Sequence, residues 1–203
     1  MKFRATLLSL AIGTTMLTGC ADQMQKEQAA APTADAVLGN YADIALATYE
    51  DSLTTAQTLQ SSIDRLLANP TDANLTAAKN AWKAARAPYQ QSEAYRFGNA
   101  VVDDWEGRVN AWPLDEGLID YVDNGYGSES DENPYYTANI VANKTLKLGG
   151  VTVDATTINK KLLAETLHEI DDVEANVATG YHAIEFLLWG QDLNGTNPGA
   201  GNR

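Results

Sequence analysis

The sequence predicts an all-α fold: a helical bundle with long irregular connections and one small β-hairpin. Three observations lead there. Apolar residues recur at three- and four-residue steps over long stretches on both sides of Asn69-Pro70. Residues 180–190 are apolar on nearly every side, the composition of a buried helix. Strand-like alternation is confined to one short stretch, 145–153.

The chain has 203 residues, 44% of them hydrophobic, enough for one domain with a core of its own. Its formal net charge is -13. Such a chain repels phosphate backbones, which argues against nucleic acid as a partner. An acidic surface can attract cations, although solubility alone accounts for it.

Residues 1–19 read as a lipoprotein signal peptide and not as part of the fold. Lys2 and Arg4 make a basic start, residues 7–17 an apolar run too short to span a membrane, and Gly19 a small residue before Cys20. Leu17-Thr18-Gly19-Cys20 resembles the lipobox of bacterial lipoproteins, in which the cysteine is lipidated. Cys20 is the chain's single cysteine, so no internal disulfide can form. Ala21 after it is compatible with outer-membrane sorting. An ordinary secretory signal with an incidental cysteine is the plainer alternative. Residues 20–35 carry little bulky apolar content and read as a flexible tether, leaving 36–203 as the folded domain.

Within that domain, Val37, Tyr41, Ile44, Tyr49, Leu59, Ile63 and Leu66 predict a helix over 37–68, stopped by Asn69-Pro70. Asp72 is positioned to cap the next helix. There Trp82, Arg86, Tyr89, Glu93 and Arg96 fall within an arc of roughly 80° at helical periodicity. Such a stripe is either a solvated face with snorkelling arginines or a polar face turned towards an internal site. Pro88 inside it should kink or split the helix. Gly, Pro and Asn recur too often over 98–136 for one long helix; short turns are expected near 118–122, with Trp105 and Trp112 anchoring the connection. Residues 145–153 predict a hairpin around Gly149-Gly150, and 158–170 a helix. Asp171 with Glu174 resembles a capping-box start for the last helix, which would place Gly180 inside it, and Gly190 is a natural C-cap. A mid-helix glycine often marks close backbone approach.

Two motifs carry chemistry. His182-x-x-Glu185 places an imidazole and a carboxylate about one turn apart on an apolar helix, where both are costly to bury unpaired. Together they suit a transition metal, or they satisfy each other as a buried pair. A zincin's second histidine is absent, since residue 186 is Phe. Glu165-x-x-His168 has the spacing used in di-iron bundles but occurs once, in polar surroundings, so His168 reads as surface or supporting rather than as a ligand. Asp103, Asp104, Asp115, Glu116 and Asp120 cluster around Trp112; they can offer oxygen ligands to a cation, but more often such residues cap turns. No nucleophile elbow or phosphate-cradling glycine loop is present.

Gly180-Tyr181-His182-Ala183-Ile184-Glu185 fits the G-x-H-x-x-E motif of the imelysin family, also called peptidase family M75. Trp82-x-x-x-Arg86-x-Pro88-Tyr89-x-x-x-Glu93, Arg96-Phe97-Gly98, Val109 through Tyr121 and Phe186 through Asp192 resemble its other blocks. The similarity covers roughly residues 36–203 and is strongest to the iron-regulated lipoprotein branch. It implies an imelysin-like bundle, with this chain corresponding to the N-terminal half of a two-bundle protein. It also implies an exported protein, lipid-anchored through Cys20 to the outer membrane and facing the periplasm, with membrane contact through the lipid alone. It links the chain to iron uptake, with envelope iron-transport components as partners. On that reading His182, Glu185 and Glu93 contact iron or an iron-loaded ligand, with zinc the alternative metal. Gly180, Arg86, Tyr89, Arg96, Asp115 and Glu116 would surround the site. A metallopeptidase with Glu185 as general base is the competing expectation. The third is a purely structural His-Glu pair.

Overall fold

The computed structural model describes residues 31–194, except 129 and 149. The signal segment, Cys20, most of the tether and the end of the C-terminal tail lie outside the described residues. The fold is mainly helical, as the sequence predicts, with a single two-stranded hairpin among the described residues.

Helix α1 runs over Ala34–Ala68, opened by Thr33, whose side chain accepts the Ala36 N–H. Asn69, Pro70 and Thr71 turn the chain into α2, Asp72–Gln91, which packs along α1. The cap of α2 is Thr71, not Asp72: the Thr71 hydroxyl accepts the Asn74 N–H at 3.2 Å, and Asp72 sits in the first turn, where its charge favours the helix dipole. Pro88 does not split α2, which continues to Gln91 and then tightens into a 3₁₀ turn, Ser92–Tyr95.

The stretch after Gly98 holds a helix that the sequence hides, α3, Ala100–Val109, with no fully buried residue. A short α4, Glu116–Ile119, replaces the turn expected at 118–122 and is buried through Gly117, Leu118 and Ile119. A side chain on Gly117 would collide with the Tyr136 carbonyl oxygen, so that crossing requires glycine. Strands β1, Thr145–Leu148, and β2, Val151–Asp154, form the expected antiparallel hairpin, with Leu146 opposite Val153 and both buried.

The helix expected over 158–170 is only a short π-type turn, Leu162–Thr166, in which the Leu167 N–H reaches the Leu162 carbonyl. Glu169, Asp171 and Asp172 then take left-handed backbone angles, which no α-helix can pass through. Fully buried Asn176 holds this loop: its side chain donates to the Ile170 carbonyl and accepts from Asn133. Asp171 therefore caps nothing, and the last helix, α5, begins only at Gly180 and ends at Trp189. Gly190, at φ 77°, terminates it as expected.

Two apolar clusters result. One gathers α4, the hairpin and the loops against Ala183 and Phe186 of α5. The other joins Leu59 of α1, Ala81, Ala85 and Tyr89 of α2, and Tyr181 of α5. Helix α5 belongs to both.

Candidate functional site

Helix α5 is placed by its N-terminus. Thr179 donates its hydroxyl to the Arg108 carbonyl at 2.9 Å, tying α5 to the end of α3. Gly180 follows at φ 83°, and a Cβ there would lie 2.5 Å from the Val109 carbonyl oxygen and 2.8 Å from that of Arg108. The close approach expected of Gly180 is real, but it occurs at the start of the helix and not within it.

From that start, Tyr181, Ala183, Phe186 and Leu188 turn into the protein. His182 and Glu185 turn the other way, with side-chain exposures of 18% and 44%. They are not the deeply buried pair that the apolar composition implies. The His182 Nδ1 lies 3.2 Å from Glu185 Oε2, on the wall of a recess of about 760 Å³. Trp82 and Lys83 of α2, Asn110, Trp112, Glu116, Trp189 and Asp192 complete the walls. The Trp112 ring sits 4.9 Å from that of His182. It anchors little, being 67% exposed, whereas Trp105 rests its ring 5.9 Å from Tyr89.

The aromatic stripe of α2 faces inward. Trp82 donates its indole N–H to the Tyr181 carbonyl at 2.9 Å. Arg86 hydrogen-bonds Asn110 Oδ1 and lies over three rings, with Tyr181 at 5.0 Å, Tyr89 at 5.4 Å and Trp82 at 5.8 Å. Burial and the nearby Glu106 carboxylate push the Tyr89 phenol up to about 12, against the opposing pull of Arg86 and Arg96.

Glu93 does not join His182 and Glu185. It pairs with Arg96 at 3.7 Å, is 66% exposed, and borders a separate cavity of about 140 Å³ with Arg86, Tyr89 and Glu106. Arg96 is committed to ion pairs with Glu93, Asp103 and Glu106, the last at 3.0 Å. Asp115 is a brace: it accepts from Asn133 and, at 3.4 Å, from the Tyr126 hydroxyl. Glu116, next to it, does line the recess. His168 is mostly enclosed and not on the surface, with Nδ1 buried and without a hydrogen-bond partner, while Glu165 is exposed. Among the described residues, no three His, Cys, Asp or Glu side chains gather closely enough to hold a metal ion.

Sequence reasoning missed Lys83, Asn110, Trp189 and Asp192 as parts of this recess. The signal for Trp189 was present: residues 182, 185 and 189 step by three and four and share one helix face. Asn110 carries no such pattern, since it follows α3 in irregular chain.

A 46-residue stretch is 44% identical to a protein named iron-regulated protein A from Synechococcus elongatus. That stretch is 23% of this chain and 13% of the relative, so the similarity spans a small part of that protein's length. The family model described as imelysin, Peptidase_M75, matches residues 45–203, a range that holds every wall of the recess. The chain belongs to the imelysin family.

Proposed function

We propose that this is an exported, lipid-anchored imelysin-like protein with a role in iron handling, whose recess beside α5 receives iron as cargo. The observation that carries this reading is the His182–Glu185 pair, 3.2 Å apart and facing an open recess of about 760 Å³. Imidazole and carboxylate donors suit iron, so the residue types fit. Among the described residues no third His, Cys, Asp or Glu stands close enough to the pair to form a metal-holding group, although Glu116 and Asp192 line the same recess. That favours iron arriving with ligands of its own over a bare ion caged by protein. The name of the Synechococcus relative supports the connection to iron. Attachment to the envelope would run through Cys20; no described helix is long and apolar enough to cross a membrane.

Isothermal titration of the full chain with ferric and ferrous ions and with a ferric chelate tests the reading. His182→Ala should weaken whichever of these binds. Equal affinity in both proteins would remove His182 from the site. The peptidase reading has less support. A catalytic zinc takes three protein ligands, and here Glu185 would have to serve as both ligand and base. Unchanged chelator-sensitive cleavage by Glu185→Gln would eliminate that role for Glu185.

A further inference from the structure

We propose that the recess selects ferric chelates of positive or zero net charge and turns away polyanionic ones, a proposal that rests on the iron-cargo reading above. The walls combine aromatic faces with carboxylates. Trp112 stands at the recess two-thirds exposed, its ring beside His182, while Trp82 and Trp189 meet edge to face at 5.3 Å. Indole faces are electron-rich and attract cations. Three carboxylate side chains, Glu116, Glu185 and Asp192, line the recess against one lysine, Lys83.

The distribution of these charges sharpens the preference. Lys79 and Lys83 both lie over the Trp189 ring, at 5.3 and 5.8 Å, so that indole already has its cations. Trp112 contacts His182, seven residues earlier and about 10 Å away along the helix axis, with Glu185 between them. Arg86 lies behind Trp82, committed to Asn110, and does not line the recess. The Trp112 end therefore offers an exposed aromatic face, with the Glu185 carboxylate next to it across His182. The chain's overall charge of -13 adds a long-range field of the same sign. A cargo with a pendant ammonium gains from the Trp112 face and from the excess of carboxylates over Lys83, and a polyanionic cargo loses from that excess.

The test is isothermal titration of the full chain, at matched ionic strength, with two probes. One is ferrioxamine B, a cationic ferric trihydroxamate; the other is ferric tris-catecholate, a polyanion. The cationic probe should bind roughly tenfold or more tightly than the anionic one. Trp112→Ala should weaken the cationic probe roughly twofold to fivefold. The double variant Glu116→Gln with Asp192→Lys should narrow or reverse the preference, with circular dichroism checking that its helices are intact. Binding of the polyanion as tightly as the cation overturns the selectivity and leaves the iron-cargo reading standing. A preference unmoved by both variants also overturns it. Binding of neither probe removes the iron-loaded-ligand reading and this proposal together.

Discussion

Gly180 sits at φ 83°, with the carbonyl oxygens of Arg108 and Val109 occupying the space a side chain would need. Both constraints act on one residue, and the obstructing atoms are backbone, which cannot rotate away. Gly180→Ala should therefore destabilise the fold by about 1–3 kcal/mol, well above the cost of an ordinary glycine substitution. Urea unfolding midpoints measure this, and an unchanged midpoint would show that the α3–α5 junction yields to a side chain at no cost. Tyr89 makes a second residue-scale case. Its phenol titrates at about 12 in the folded protein, and burial raises Tyr49 and Tyr181 as well. An unfolded tyrosine loses its proton near pH ~10. The folded state thus holds more protons than the unfolded chain above that point, so stability is intact below pH ~10 and declines as pH rises towards about 12. Tyr89→Phe should flatten part of that decline in a pH series of unfolding midpoints.

At the scale of elements, α1 shows where local pattern and packing part. Every residue from 34 to 44 is exposed, including Leu38 at 65%, while Ser52 and Leu59 further along the same helix are buried against the bundle. The apolar periodicity is continuous, but its packing is not. Amides in the first three turns of α1 should exchange with solvent markedly faster than those around Ser52 and Leu59 in a hydrogen-exchange experiment. Uniform protection would mean that the exposed face is covered in solution. The same reasoning explains what the sequence made legible. Helices α1 and α2 and the hairpin announce themselves through long regular periods and a Gly-Gly turn. Helix α3 does not, because Gly98, Gly107 and Asn110 punctuate the stretch and its short stripe of Val102, Trp105 and Val109 is nowhere fully buried. The start of α5 was misplaced because Asp171 and Glu174 imitate a cap, while buried Asn176 and Asn133 hold that loop open by contacts distant in sequence. His182 and Glu185 were legible as a pair because a single helical turn joins them. Glu93 was misassigned for a geometric reason. It lies eleven residues past Trp82, about 16 Å further along the axis, and shares the small cavity with Arg86 and Tyr89 rather than the recess that Trp82 and Lys83 wall.

Among the described residues, the core is two apolar clusters that share one helix. The α1–α2 pair reaches the rest chiefly through Tyr181, whose ring packs with Leu59, Ala85 and Tyr89 and whose carbonyl accepts the Trp82 indole. On the other side of α5, Ala183 and Phe186 close the cluster formed by α4, the hairpin and the loops. A helix common to both clusters makes their unfolding interdependent, so wild-type protein should unfold in one transition, with circular dichroism and tryptophan fluorescence coinciding. Tyr181→Ala removes the ring that joins the α1–α2 pair to α5, at a cost of about 3–5 kcal/mol by analogy with other large aromatic truncations. Because α1 and α2 hold much of the helix, their signal should then separate: the loss of ellipticity at low urea should precede the loss of structure around the hairpin. Hydrogen exchange at Leu146 and Val153 would report the later step. Coincident transitions in the variant would mean that Arg86–Asn110 and the Trp82 indole bond to the residue 181 carbonyl suffice to couple the halves. Either way, the recess beside His182 has walls from α2 and α5, so on the iron-cargo reading proposed above a ferric chelate should delay the first transition by mass action.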